Sequence, residues 1–391
     1  MFSNNKILLT YFLYLALAFI LFLTLHINEF PTKYIFTDWL INYEGGFVRR
    51  GLIGQVIFEL SKFLNFQIKF VMLFFQITIY SIYFLLFYLL LSKRKTNFFW
   101  LLIIFSPISF LYPMAELEAL GRKDIFVITF FLIFSMINYK KLNTLVFSFI
   151  LLFSLSCLIH EITIFYIFHY LFVFYIKNKF FINQKIDKQH YLIFFLFLGI
   201  LLYLNLYLHN FVIIEDIVNS YNYEDFTSLS GSFSHISPSI DSVFLNTFNN
   251  INAAPVVRYV FLILINTIPF LYFVKIKNEH ENKYFNSQNI FFTVILLSIP
   301  LYLLILDWGR VIYINHNFFI IIIILIFNLD LVNENYLQTK IKNLSKRMKI
   351  FSFIIICLSF SPKLLITDDL GSKPLYKSAT KIFKIVNNLE K

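Results

Sequence analysis

VIYINHNFFIIIIILIFN, residues 311–328, has no Asp, Glu, Lys or Arg side chain. A helix needs about 20 mostly apolar residues to cross the hydrocarbon core of a bilayer, so this stretch predicts a transmembrane helix. Similar apolar runs occupy residues 7–26, 70–91, 98–113, 125–138, 142–158, 162–176, 191–211, 256–274, 288–306 and 350–366. The sequence therefore predicts an all-α, polytopic bundle of about eleven transmembrane helices.

The composition of the 391-residue chain agrees with a membrane protein, with 59% hydrophobic residues and only 14% charged ones. Soluble domains contain about 45–50% apolar and about 25% charged residues. The composition excludes a cytosolic enzyme, a disordered protein and a disulfide-rich secreted scaffold, because too little polar surface is present to cover a soluble core. The two cysteines, Cys157 and Cys357, lie in apolar runs and indicate no disulfide, metal site or nucleophile.

The net charge of +11 predicts the orientation of the helices, because lysine and arginine concentrate in cytoplasmic loops. This bias favours a cytoplasmic N-terminus on a retained signal-anchor helix. It also favours two short spans over one between residues 142 and 176, with His160 and Glu161 at an outer turn. We expect one transmembrane domain over 1–391, a first extracytoplasmic loop at 27–69, a large extracytoplasmic loop at 212–255 and a polar C-terminal tail at 367–391.

Five of the seven arginines depart from this bias. Lysine fills most of the predicted cytoplasmic positions, whereas Arg49, Arg50, Arg122, Arg258 and Arg310 fall on the predicted outer side. Arginine presents a planar fork that binds phosphate or carboxylate through two hydrogen bonds, and lysine acts as a point charge. The arginine positions therefore indicate a ligand or partner at the outer face.

The first outer cluster is DWLINYEGGFVRRGLIG, residues 38–54. It holds four of the chain's nine glycines, which allow tight turns and a close approach of the backbone to a ligand. Two acids precede Arg49 and Arg50, and the apolar spacing over 52–64 predicts an amphipathic helix in the membrane interface. The alternative is a well-capped surface turn held by internal Asp–Arg pairs.

Three shorter clusters fall on the same predicted face. Residues 116–124 read ELEALGRKD, the pair His160-Glu161 interrupts an apolar run, and residues 307–310 read DWGR. Ionisable residues inside apolar runs are costly to leave unpaired and are functional candidates by default. Each cluster also has a purely structural interpretation: a solvated turn with mutual ion pairs, a buried histidine in a packed core, or a local Asp–Arg pair.

An outer interface that mixes arginines with carboxylates suits a lipid that carries a phosphate or diphosphate. Arginines stabilise such an anion as a leaving group, and a carboxylate can act as general base toward an acceptor hydroxyl. P-loop, GxGxxG and HExxH motifs are absent, and so is Asp-x-Asp, which leaves dependence on a divalent metal open. We expect no nucleic-acid partner, since the surplus lysines follow the topology.

The candidate general base is the carboxylate of Asp38, and Glu44, Glu118 or Glu161 share or replace its role. The candidate phosphate- or substrate-binding residues are Arg49, Arg50, Arg122, Lys123, His160, Asp307 and Arg310.

A first helix followed by a long outer loop, with an early acid and an interfacial helix, resembles the membrane glycosyltransferases of the GT-C superfamily. Residues 38–54 also look like a loop of bacterial membrane proteins encoded with polysaccharide genes, including O-antigen or capsule polymerase candidates. The resemblance implies a multi-pass protein of the bacterial cytoplasmic (inner) membrane. It also implies a polyprenyl-phosphate- or diphosphate-linked sugar donor, a glycan acceptor and a catalytic acid at Asp38.

The resemblance covers the topology of most of the chain, but specific residues only over 38–54. The chain departs from the family by lacking Asp-x-Asp, a soluble C-terminal domain and a basic second large loop. Donor, acceptor and the choice between transferase and polymerase therefore stay open.

Two other functions are compatible with the sequence. A flippase or transporter of lipid-linked oligosaccharide requires polar residues along a path through the bilayer midplane, but the centres of the predicted helices are mostly Phe, Leu and Ile. A non-catalytic membrane scaffold requires that the four clusters lie apart in space.

Overall fold

A computed structural model describes residues 4–27, 30, 34–94, 96–116, 119–206, 212–221, 231–235, 249, 253–277, 286, 289, 296, 299–358, 360 and 362–366. Within these ranges every regular element is a helix, no strand is present, and an isolated antiparallel bridge pairs Ile276 with Val332.

The longer helices carry the labels used below. They are α1 (Asn4–His26), α2 (Gly51–Leu64), α3 (Ile68–Ser92), α4 (Phe98–Ile104), α5 (Asp124–Met136), α6 (Leu142–Ile159), α7 (Ile167–Lys177), α8 (Lys188–Leu206), α9 (Ala253–Phe273), α10 (Trp308–Asn328), α11 (Glu334–Asn343) and α12 (Lys346–Phe353). Shorter helical turns are Tyr34–Thr37, Asp38–Leu40, Tyr112–Ala115, Glu161–Tyr166, Asn178–Ile182, Ile214–Asn219, Gly231–His235, Ile299–Leu304 and Ile354–Leu358.

Within the described ranges, five helices, α1, α3, α6, α9 and α10, are long and apolar enough to cross a membrane. Two further apolar helical segments, Asp124–Met136 (α5) and Lys188–Leu204 within α8, are shorter than these five. The prediction of an all-helical membrane protein is thereby confirmed. The number of about eleven spans and their orientation stay predictions.

Two predicted spans are interrupted in the structure, and a helix break separates two others. The run 98–113 forms only the seven-residue α4 before the chain turns, because Pro107 has no N–H and disfavours helix at the preceding residue. The run 350–366 is helical to Leu358, and the described residues 360 and 362–366 are not helical. The helix break at His160, where φ is −153° and ψ is 115°, falls between the two predicted spans 142–158 and 162–176.

The chain divides into two compact units. Unit 1 comprises residues 1–19, 84–120 and 241–391, and unit 2 comprises residues 20–83 and 121–240. In unit 1, α10 is deeply buried, with 89% of its most apolar 18-residue stretch inside the protein. The start of α10 packs in a cluster formed by Ile108, Tyr259, Leu262, Trp308, Ile312 and Ile366.

In unit 2, α5, α6 and α7 pack through aromatic rings. Tyr170 lies 5.5 Å from the ring of Phe134 and 6.2 Å from the ring of Phe149, and all three side chains are buried. Aromatic pairs at these distances add to the free energy gained by burial. This packing anchors the chain on both sides of the break at His160.

The predicted amphipathic helix is present as α2. It buries Ile53, Ile57 and Phe58 along one face and exposes Phe63. The buried residues recur at the spacing of one helix face, so local sequence determines which side packs. The close packing requires glycine at position 54, because a Cβ there would overlap the Ile41 carbonyl oxygen.

Candidate functional site

Asp38 is a buried carboxylate, with 2% of the residue exposed. It begins the short helical turn Asp38–Leu40, directly after the turn Tyr34–Thr37. The neighbouring Trp39 is fully buried and donates its indole N–H to the Gly121 carbonyl oxygen at 2.5 Å. The hydrogen bond ties the first loop to the turn that precedes α5.

That turn depends on Gly121, whose φ is +71°. Residues with a Cβ rarely adopt this conformation, so glycine is the natural choice. The Gly121 carbonyl oxygen also accepts a hydrogen bond from Gln76 at 3.1 Å. The two donors hold the turn so that Arg122 and Lys123 follow it in buried positions.

Arg50 connects three segments of unit 2. Its guanidinium donates to both carboxylate oxygens of Glu161, with Nε at 2.8 and 2.7 Å and a terminal nitrogen at 2.5 Å from Oε1. Its other terminal nitrogen lies 3.5 Å from Asp38 Oδ1 and 3.3 Å from the Tyr34 hydroxyl. The backbone of Arg50 has φ 69°, and its carbonyl oxygen accepts a hydrogen bond from Lys123 Nζ at 2.6 Å.

His160 lies between two acids at the helix break. Its Nε2 is 3.3 Å from Asp124 Oδ1, and its Nδ1 is 3.4 Å from Glu161 Oε2 and 3.4 Å from the Ile162 amide nitrogen. A neutral ring with its proton on Nε2 presents that N–H to the Asp124 carboxylate and accepts from the Ile162 amide through Nδ1. A protonated ring donates to both acids instead. We call Asp38, Arg50, Lys123, Asp124, His160 and Glu161 the Asp38 cluster.

Opposing effects determine the pKa of Asp38. Burial raises the pKa, but the fields of Lys123, Arg50, His160 and Arg122 together outweigh burial. The pKa therefore lies below its ordinary value, and Asp38 is ionised at neutral pH.

The pKa values of Glu161 and Lys123, two partners in the cluster, are also lowered, each for a different reason. Burial raises the pKa of Glu161, yet Arg50 and His160 hold it well below the ordinary range. Burial lowers the pKa of Lys123 to about 8; Asp38 and Glu161 partly offset that effect, and Arg50 adds to it. Lys123 is therefore charged at neutral pH, close to the point where it releases its proton.

Two further arginines adjoin the cluster. The Arg122 guanidinium is buried and lies 4.3 Å from the centroid of the Tyr34 ring. Arg49 is half-buried; burial lowers its pKa, while Glu161 raises it and Arg50 lowers it further. Leaving His160 out of the count, the four cations Arg49, Arg50, Arg122 and Lys123 exceed the three carboxylates Asp38, Asp124 and Glu161 by one charge.

Two predicted acids are not placed in the Asp38 cluster. Glu44 is exposed on the same loop and accepts a hydrogen bond from Gln55 at 3.0 Å. Glu118 lies outside the described residues. Among the described residues, no group of three His, Cys, Asp or Glu side chains is arranged to hold a metal ion.

Asp307 and Arg310 belong to unit 1. Their side chains form an ion pair at 3.3 Å, as the local interpretation of this turn expected. The following glycine-dependent contact was not predicted: the Gly309 amide donates to the Leu364 carbonyl at 3.1 Å, and a Cβ at Gly309 would overlap the Lys363 carbonyl oxygen. Residues 363–366 thus lie directly against the start of α10.

A second ion pair in unit 1 secures this segment. Lys363 Nζ lies 2.8 Å from Glu116 Oε2, and the buried hydroxyl of Tyr259 donates to the carbonyls of Lys363 and Leu365 at 3.1 and 3.0 Å. Sequence reasoning assigned no such role to Glu116 or Lys363. Their separation along the chain left no local signal that they meet.

Sequence reasoning also missed three groups of the Asp38 cluster and its surroundings. Tyr34 contacts Arg50 and Arg122, Trp39 holds the Gly121 turn, and Asp124 pairs with His160. Asp124 is the last residue of the charged cluster 116–124, and Trp39 follows Asp38 directly. Their position next to charged candidate residues was the one signal in the sequence. No protein-family model, curated protein or solved structure matches this chain.

Proposed function

We propose that this chain is a membrane glycosyltransferase or polysaccharide polymerase of the GT-C type, acting in bacterial surface polysaccharide synthesis. In this proposal it crosses the bacterial cytoplasmic membrane about eleven times, with a cytoplasmic N-terminus. The donor is a sugar or oligosaccharide on polyprenyl phosphate or diphosphate at the extracytoplasmic face. The supporting observation is the buried, ionised Asp38 beside cations that outnumber the carboxylates.

The surplus positive charge supports an anionic donor. Arg50 is already engaged by Glu161, and Lys123 by the Arg50 carbonyl, so these two preserve the shape of the cluster. Arg49 is half-buried, so its guanidinium is partly accessible to solvent and contributes to the surplus positive charge. A phosphate or diphosphate would neutralise that surplus and gain bidentate hydrogen bonds from arginine.

Donor binding would also change the basicity of Asp38. The carboxylate is held ionised by neighbouring cations, which makes it a weak base before the donor arrives. Phosphate oxygens near those cations would offset their field and raise the pKa of Asp38. The general base would therefore strengthen only when the donor is bound.

The proposed reaction balances without a further reactant. The acceptor hydroxyl oxygen forms a bond to the anomeric carbon, and its proton passes to Asp38. The bond from that carbon to the carrier phosphate oxygen breaks, and the electron pair leaves with the phosphate. Arginine stabilises the charge that develops on this leaving group.

The test uses a strain that lacks the gene, complemented with wild type, Asp38→Asn or Glu59→Gln. Glu59 is an exposed acid on α2 that accepts a hydrogen bond from Gln55, so it is the matched control. We expect wild type and E59Q to restore the surface polysaccharide ladder, and D38N to fail at equal membrane abundance. A ladder collapsed to one repeat indicates a polymerase, and loss with a truncated lipid-linked intermediate indicates a transferase. Full complementation by D38N overturns the proposal.

A further inference from the structure

A basic corner lies where α11 ends and α12 begins, in unit 1. It consists of Lys342, Lys346, Arg347 and Lys349. No acidic residue occurs in the sequence between Glu334 and Asp368, so the corner has no acid beside it along the chain. A run of this kind next to an apolar segment is typical of contact with anionic lipid.

The basic corner is accessible, and its charges are not used inside the protein. Lys342, Lys346 and Arg347 are exposed, Lys349 is half-buried, and none of them forms an ion pair with an acid of the described ranges. The nearby acidic side chains form ion pairs with other basic residues.

Two such acids lie at the end of α10 and the start of α11. Glu334 lies 3.5 Å from Arg94, and Asp330 lies 2.6 Å from Lys277. Lys340, two residues before Lys342, lies 4.8 Å from the Tyr272 ring and 5.3 Å from the Tyr336 ring. These contacts within unit 1 engage the neighbouring residues Glu334, Asp330 and Lys340. The four charges of the basic corner are therefore left for an external anion.

An exposed apolar stripe, called the α12 stripe below, continues from the basic corner along α12 into the helical turn Ile354–Leu358. Ile350, Phe351 and Ile354 are 52%, 65% and 47% exposed, and they share one helix face with Arg347. The rise of about 1.5 Å per residue places Ile354 roughly 10 Å along the axis from Arg347. Charge followed by exposed hydrocarbon over this distance matches the step from lipid headgroups to acyl chains.

We propose that the basic corner binds the phosphate headgroup of an anionic phospholipid, while the α12 stripe lies against its acyl chains. Arg347 supplies bidentate recognition of the phosphate, and the three lysines supply charge. The stripe favours a lipid over a free phosphate, because only a lipid would cover the exposed apolar side chains. Each basic residue near an anionic surface contributes about a fivefold preference.

The test places a reporter in the stripe by the substitution Phe351→Trp, at a position exposed enough to accept an indole. The full chain is reconstituted in nanodiscs with brominated phosphatidylglycerol or brominated phosphatidylcholine. Quenching of the introduced indole is obtained after subtraction of the parent protein's signal. A second protein carries K342Q, K346Q, R347Q and K349Q together with F351W.

The matched control carries K140Q, K141Q, K185Q and K188Q with F351W, which removes equal charge at four other exposed lysines. We expect phosphatidylglycerol to be preferred at the reporter at least tenfold in the F351W protein and in this control. The preference falls at least tenfold when the basic corner is neutralised. Size-exclusion profiles and thermal midpoints establish that all variants are folded.

Three outcomes overturn the proposal. The first is equal quenching by both lipids in the F351W protein. The second is a preference that persists without the four charges of the corner. Loss of the preference on adding inorganic phosphate would also overturn it, because the corner would then recognise the free anion.

Discussion

Arg50→Met tests whether the Asp38 cluster is held together by the Arg50–Glu161 pair. The substitution removes every guanidinium donor to the Glu161 carboxylate and the contact with Asp38. Removing one partner of a buried pair costs about 3–5 kcal/mol. Because 16% and 19% of the two side chains stay exposed, we expect about 2–4 kcal/mol here.

A double-mutant cycle separates the pair from its surroundings. Glu161→Gln alone leaves Arg50 short of its main partner, whereas R50M with E161Q removes both charges. We expect the double variant to unfold less easily than the sum of the single effects implies, with a coupling of at least about 1.5 kcal/mol. The free energy of unfolding is measured by SDS titration in mixed micelles, followed by circular dichroism.

The exposed pair Lys277–Asp330 is the matched control, since 30% and 78% of its side chains are exposed. Its cycle, K277Q with D330N, should give a coupling below about 1 kcal/mol. The pKa of Glu161 is lowered, so its stabilisation is complete above the ordinary value of 4.5 and is lost as pH falls through the lowered pKa. Equal coupling energies for both pairs would refute the reasoning.

Three further perturbations follow from the same contacts. Trp39→Phe removes the hydrogen bond to the Gly121 carbonyl; we expect a loss of about 1 kcal/mol in unfolding free energy and a weaker polysaccharide ladder, and an unchanged ladder would contradict this. Gly309→Ala should cost about 1–3 kcal/mol in the same titration, because the new methyl group overlaps the Lys363 carbonyl; wild-type stability would show that the contact is dispensable. Burial lowers the pKa of Lys123 to about 8 from 10.5, so the unfolded state binds more protons between these values and stability rises with pH there; Lys123→Met should abolish that rise.

Local sequence was sufficient for the helices whose apolar character or periodicity is strong. The α2 helix is an example, with Ile53, Ile57 and Phe58 inside and Phe63 outside. Periodicity is a property of neighbouring residues, so it can be read without knowing the partner surface. The same reasoning predicted a single helix over residues 98–113, which is too long, because Pro107 stops the helix inside this apolar run.

The sequence indicated which residues are candidates for the site, but it did not indicate which of them pair with one another. Rare charges in an oily chain pointed to Asp38, Arg50, Lys123, His160 and Glu161, and the structure brings these together in unit 2. Arg50 and Glu161 are 111 residues apart in sequence. No pattern within either segment specifies that distant pairing.

The sequence by itself determined that the chain is helical and membrane-embedded, because the length and apolar content of each segment can be read without knowing its neighbours in space. Tertiary structure alone decided which ionisable side chains meet. The Trp39 hydrogen bond to Gly121 aligns two loops, and that alignment brings Lys123 to the Arg50 carbonyl. The resulting pKa values depend on burial and on charges from distant segments, which exist only after the helices have packed.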